Sequence, residues 1–173
     1  MPSESVNVFV SYSHADALLV SPVVKLLRIN KSLVFQDIDG IQPGKKWRDE
    51  IAKALAESHL VVVFWCTHAS RSNEVSKEWQ AAIEQKKDLL PLLLDTTPLP
   101  RELAEFQWID FRATVGPNHD SIDLNVDLNW RGLEEPLPGF QGMFARQRLL
   151  RQITTELEAE ILRRTRLRRE EET

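Results

Sequence analysis

The chain has 173 residues, 42% of them apolar and 28% charged, which suits one buried-core domain with a modest appendage and excludes disorder over most of its length. Its net charge of −4 is unevenly spread: residues 1–145 hold fourteen Lys/Arg against twenty Asp/Glu, and residues 146–173 hold eight against six. An acidic body of this kind argues against nucleic-acid binding, which draws its affinity from clustered cations.

Val6 to Tyr12 is rich in β-branched and aromatic residues and ends in small polar ones, so a strand is predicted there. Ser13-His14-Ala15-Asp16 then resembles a capping box with Ser13 as N-cap. Leu19, Val20, Val23, Leu26 and Leu27 supply a helical apolar face with Pro22 in its middle. The helix therefore either starts at Ser21, placing Pro22 in its favoured first position, or bends at the proline. Leu33-Val34-Phe35 reads as a short second strand, opening into the polar, Gly- and Pro-containing loop Asp37–Lys46. Trp47, Ile51, Ala54, Leu55 and Ser58 follow at helical spacing. His59 to Cys66 is almost continuously apolar, as a strand buried on both faces of a parallel sheet would be.

Thr67 to Asn73 is predicted as a polar loop, followed by a helix presenting Val75, Trp79, Ala82 and Ile83 on one face. Leu89 to Leu94 is another buried strand, placed near an edge or a strand end because Pro91 cannot donate to a ladder. Trp108 to Phe111 offers a fifth. Strands separated by helices imply βαβ units with right-handed crossovers. The expected fold is α/β: a flavodoxin-like, doubly wound five-stranded parallel sheet in the order 2-1-3-4-5, plus a long C-terminal helix. The domain occupies residues 1–112, residues 113–141 form an irregular insertion or linker, and residues 142–173 form an amphipathic, Arg-rich helix. Phe144, Leu149, Leu150, Ile153, Leu157 and Ile161 make the apolar stripe of that helix, and its basic end, Arg163 to Arg169 beside Glu170–Glu172, reads as a solvated terminus.

Cys66 is the only cysteine, so no intramolecular disulfide forms, in keeping with a reducing compartment. Met1 to Ser5 carries neither the basic nor the apolar region of a secretory leader, and the longest apolar runs are too short to span a bilayer. A cytoplasmic protein without membrane or direct nucleic-acid contact is expected.

Ligands of doubly wound sheets bind at the carboxyl ends of the strands, where the strand order reverses. For this order the crevice lies between the first and third strands, walled by the loops after Tyr12 and Cys66, the Asp37–Lys46 loop, and the start of the helix bearing Glu74 and Glu78. Glu78 lies three residues after Val75 and four before Ala82, so it borders the buried stripe, where a carboxylate is partly desolvated. As a solvated helix residue it would instead pair with Lys77 or Arg71. Glycine-rich phosphate loops are absent from the sequence. His14, His59, His68 and His119 lack metal-ligand spacing and one cysteine does not complete a zinc site, so no metal is expected. A phosphoacceptor receiver would end its third strand in Asp, whereas this one ends Trp65-Cys66-Thr67-His68.

Taken together, Val8 to Asp16, Phe35-Gln36-Asp37, Ile41-Gln42-Pro43-Gly44 with Trp47, Ser58 to Phe64, Ser70, Ser72, Glu78-Trp79 and Leu90 to Leu93 resemble Toll/interleukin-1-receptor (TIR) domains, especially bacterial ones. No single motif is strong, but five occur in register between about Val6 and Phe111. The resemblance implies NAD⁺ glycohydrolase activity, as in members that keep a glutamate at the start of this helix, with Glu78 as the catalytic residue. Such a carboxylate holds the ribose hydroxyls and stabilises the oxocarbenium-like centre as nicotinamide leaves. It further implies NAD⁺ as substrate with no bound cofactor, and substrate contacts from Tyr12, Ser13, Asp37, Ile41, Trp47 and Ser70. Bacterial members often carry a WCxxEW pattern. Here Glu74 and Val75 replace its Trp-Cys, so an aromatic wall falls to Tyr12, Trp47 or a neighbouring subunit. Members of this kind are activated by self-association through surfaces that include the Asp37–Lys46 loop, commonly under a sensor domain or partner chain. Two other classes compete: a non-catalytic TIR–TIR adaptor, which has no chemical need for Glu78, and a deoxyribosyltransferase-like nucleotide hydrolase, which substrate profiling separates.

Overall fold

A computed structural model describes residues 6–30, 33–35, 47–112 and 136–172. Five parallel strands form one sheet in the order β2-β1-β3-β4-β5. They are β1 (Val6–Ser11), β2 (Leu33–Phe35), β3 (Leu60–Trp65), β4 (Asp88–Leu93) and β5 (Ile109–Asp110). Helices α1 (Ala17–Leu27), α2 (Trp47–Glu57), α3 (Thr67–Ser70), α4 (Asn73–Glu84), α5 (Arg101–Ala104) and α6 (Pro136–Glu172) connect and cover them. The doubly wound order expected from the sequence is the one observed.

β3 is central, with all six residues buried, and it pairs with β1 from Val8↔Leu60 to Ser11↔Val63 and with β4 along its whole length. A strand lined by helices on both faces has no solvent side, which is why its sequence shows no polar alternation. α2 and α4 pack against each other and on β1, while α1 packs against α6. Each fully buried Leu, Val or Phe of this core contributes about 1.5–3 kcal/mol relative to exposure. Pro91 sits opposite Val63, and β5 reaches only Leu92 and Leu93. At the proline β4 therefore has one strand neighbour, and the donor that Pro91 lacks costs no rung of a second ladder.

Four local details refine or correct the expectations. Ser13 does cap, but it accepts the Ala15 N–H to close a 3-10 turn, His14–Asp16, that leads straight into α1. α1 starts at Ala17, so of the two readings for Pro22 the one that places it inside the helix holds, and the start at Ser21 does not. The bond lost there belongs to the carbonyl of Leu18, an exposed residue, where water can replace it. The stretch read as a loop after β3 contains the single-turn α3. Helix α6 begins at Pro136, six residues ahead of the expected start at 142.

The stripe of α6 docks as a buried row, Leu150, Ile153, Leu157 and Ile161; Phe144 and Leu149 lie outside the described side chains. Its basic end is not wholly a solvated terminus. Arg164, 11% exposed, donates from Nη1 to Asp88 Oδ1 at 2.9 Å and to the Leu89 carbonyl at 2.6 Å, from Nη2 to the Gln107 carbonyl at 2.9 Å, and from Nε to Glu160 at 2.9 Å. The charge is retained there because backbone oxygens at the amino ends of β4 and β5 absorb it, a use of the guanidinium fork that spacing along the helix does not reveal. Among the described residues, no helix is long and apolar enough to cross a membrane.

Candidate functional site

The strand-order reversal lies between β1 and β3, and their carboxyl ends gather the polar groups that the core excludes. Four buried polar or charged residues occur among those described: Ser11, Asp16, Ser58 and Glu78. Three of them come from segments that form this edge. Ser58 lies at the other edge, turned onto the Leu55 carbonyl at 2.6 Å.

Glu78 is carried by α4, a helix started by Ser72, whose hydroxyl accepts the Val75 N–H at 3.2 Å. From that start the helical period turns Val75, Glu78, Trp79 and Ala82 inward. The Glu78 residue is 9% exposed, and Oε1 accepts a 2.7 Å hydrogen bond from Ser11 Oγ at the end of β1. Burial pushes its carboxyl up to about 7; the Ser11 bond opposes that rise, and the neighbouring Glu74 adds to it. A carboxyl balanced near neutrality ionises when a cation approaches and otherwise resists ionising.

A groove of about 250 Å³ lies between α2 and α4 and reaches Glu78. Ile51, Leu55 and Ala81 give it apolar walls, while Arg48 and Lys77 bring two cations to its lining. Beyond the end of β3, the Trp65 ring nitrogen donates to the Thr97 and Pro98 carbonyls at 3.2 and 3.1 Å, and Asp95 accepts the Thr67 and Thr97 N–H groups at 2.9 Å. This side of the crevice is therefore held by side-chain-to-backbone bonds from Trp65 and Asp95.

The other sequence-derived candidates are dispersed. Tyr12 is half-buried and meets His14 edge to face, with ring centroids 6.5 Å apart. Ser13 is committed to its cap, and Ser70 is exposed with its hydroxyl on the Thr67 carbonyl at 2.7 Å. None of these three lines the groove at Glu78. Trp47 opens α2, but its side chain lies outside the described residues, as do Asp37 and Ile41.

Ser11 is the contact of Glu78 that the sequence did not single out. It lies 67 positions from Glu78, and its only sequence signal is a small polar residue ending an apolar strand. A second grouping also escaped. Asp16 Oδ2 receives Cys66 Sγ at 2.7 Å, and Asp16 Oδ1 is 3.1 Å from His68 Nδ1. Burial, and after it the Asp16 charge, pushes the Cys66 thiol well above the usual range, so this sulfur is protonated and no nucleophile.

A doubly wound α/β domain with a half-dry carboxylate at its switch point is the class that fold and site define. The family profile described as TIR domain matches residues 8–124, more than half of the chain, and the chain belongs to that family. The matched region runs twelve residues past 112, into the stretch read as a linker. The crystal structure of the TIR domain of the Toll-related receptor TRR-2 from Hydra magnipapillata is similar in fold, with a TM-score of 0.51 and 22% identity over 62% of this chain and 86% of that one. No curated protein matches the chain.

Proposed function

We propose that this TIR domain cleaves NAD⁺ at the bond between nicotinamide and ribose, with Glu78 as the catalytic carboxylate. The observation that carries the reading is the state of Glu78: nearly dry, hydrogen-bonded to Ser11 at the end of β1, and on the wall of the groove between α2 and α4. A buried carboxylate is stabilised by an approaching cation, and both nicotinamide in NAD⁺ and the oxocarbenium-like transition state supply positive charge. The groove's apolar walls exclude water from that charge, and Arg48 and Lys77 suit the pyrophosphate.

In the reaction the C1′–N bond breaks with its electron pair passing to the nicotinamide nitrogen, which leaves neutral and needs no general acid. Glu78 holds the ribose hydroxyls and faces the developing charge. Water then bonds to C1′ and releases a proton to solvent, giving ADP-ribose, or a nucleophile on the substrate closes a cyclic isomer. Tyr12, Ser13 and Ser70 do not line the groove in the single chain, so in this reading the substrate contacts assigned to them, and to Asp37, Ile41 and Trp47, form on self-association through surfaces that include the Asp37–Lys46 loop. The setting is cytoplasmic immune signalling, including antiviral defence, with a sensor domain or partner chain as trigger.

A non-catalytic TIR–TIR adaptor is the second reading, favoured by exposed Leu18, Leu26 and Ile29 on and just after α1, the last 75% accessible. The deciding experiment follows nicotinamide release from NAD⁺ by concentrated protein whose oligomers are confirmed by light scattering. Glu78→Gln is expected to lower the rate about 10²–10³-fold. An unaltered rate in that variant refutes the mechanism, and no release from the wild-type oligomer leaves the adaptor.

A further inference from the structure

The buried thiol that does no nucleophilic chemistry has two companions. Asp16, 4% exposed, ends the 3-10 turn after β1; Cys66, fully buried, follows β3; and His68 stands in α3. One donor atom of each, a carboxylate oxygen, a sulfur and an imidazole nitrogen, lies within 4.8 Å of the other two. We propose that Asp16, Cys66 and His68 bind a divalent transition-metal ion of the zinc type, with the fourth position open on the His68 side. This inference concerns a different set of side chains from the NAD⁺ reading and does not rest on it.

The contacts argue against the alternative of a thiol nucleophile. Burial, and after it the charge of the Asp16 carboxylate that the sulfur faces at 2.7 Å, disfavours the free thiolate that a nucleophile needs. With the carboxylate between thiol and imidazole, the three heteroatoms instead surround a common point. Zinc bonds sulfur at about 2.3 Å and nitrogen or oxygen at about 2.0–2.2 Å, which places tetrahedral ligand atoms about 3.5 Å apart. The sulfur lies 2.7 Å from Asp16 Oδ2 and the imidazole nitrogen 3.1 Å from Asp16 Oδ1, and one donor atom of each residue falls within 4.8 Å of the others, so shifts on the order of 1 Å bring the set to that spacing. On binding, the S–H bond breaks, a metal–sulfur bond forms, and the proton passes to solvent.

Other features complete the case. The His68 side chain is 30% exposed, an entry path for the ion and a place for a water ligand. The Ala69 N–H points at Cys66 Sγ from 3.5 Å, a hydrogen bond that steadies a thiolate ligand. A mixed sulfur, nitrogen and oxygen set selects zinc or cobalt over magnesium or calcium, which prefer oxygen alone.

The test titrates chelator-stripped, full-length protein with Co²⁺ and reads the absorption spectrum. One equivalent of cobalt is expected to give a thiolate-to-cobalt charge-transfer band with tetrahedral visible bands, both displaced by Zn²⁺. Because Cys66 is the only cysteine, that thiolate band identifies the site. His68→Ala, altering a partly exposed residue, and Asp16→Asn are each expected to weaken binding at least about tenfold, with circular dichroism establishing that each variant is folded. Folded wild-type protein without the band refutes the site. A band whose midpoint neither variant moves also refutes it, since the thiol alone would then hold the ion.

Discussion

Replacing Glu78 by Gln keeps the shape of the side chain and its acceptor for Ser11 while removing an ionisation that burial makes expensive. In the unfolded chain a glutamate titrates near 4.5; in the fold this one titrates near 7. Such a displacement means that ionising Glu78 costs about 3 kcal/mol more in the folded protein than in the unfolded one. The sign follows from proton counting: between those two values the folded state binds more protons, so stability falls as pH rises through the window. Below about 4.5 both states are protonated and nothing is lost; above about 7 the whole cost applies. Urea unfolding of wild type and Glu78→Gln at pH 4.5 and pH 8.5 reads the difference directly. The variant is expected to gain on wild type by about 3 kcal/mol between the two pH values, equivalent to roughly 6–12 °C in Tm for a protein of this size. A stability difference that is flat with pH would show that Glu78 is solvated in the folded protein, and with it the dry-carboxylate argument for catalysis would fail.

Ser11→Ala removes the donor that favours the charged form of Glu78, so it should cost about 1.5–3 kcal/mol at pH 8.5 and less at pH 4.5, with the titration midpoint of the carboxyl moving upward; unfolding curves and carboxyl-resolved NMR read the two effects. The rate of NAD⁺ cleavage should rise with pH through about 7 as Glu78 ionises, and a pH profile of kcat/KM that falls over that interval contradicts the assigned role. Arg164→Ala strips the bonds that tie α6 to the amino ends of β4 and β5, with an expected loss of about 2–4 kcal/mol and faster amide exchange in α6; exchange unchanged from wild type would show that the apolar stripe alone holds the helix.

Much of this architecture is legible in the chain because burial writes itself into periodicity. The unbroken apolar run of β3 and the Val75–Trp79–Ala82 spacing of α4 are consequences of having helices on both sides of a sheet, and the same spacing put Glu78 at the margin of the core. What stayed hidden depends on residues far apart in sequence. Ser11 meets Glu78 only after β1 and α4 are assembled. Asp16 reaches Cys66 and His68 across about fifty positions, so a search for ligands at short spacing passes over them. The single turn of α3 is the other kind of miss, where tertiary packing overrides a local preference.

All five strands point the same way, so their starts and their finishes form two opposite rims. Arg164 clamps the long terminal helix at the starting rim, through the Leu89 and Gln107 carbonyls, whereas Ser11 and Glu78 meet at the finishing rim. The helix is held at that starting rim by the guanidinium and along its length by its apolar row, which packs against α1. The attachment of the arm and the buried carboxylate are thus built at opposite ends of the same strands.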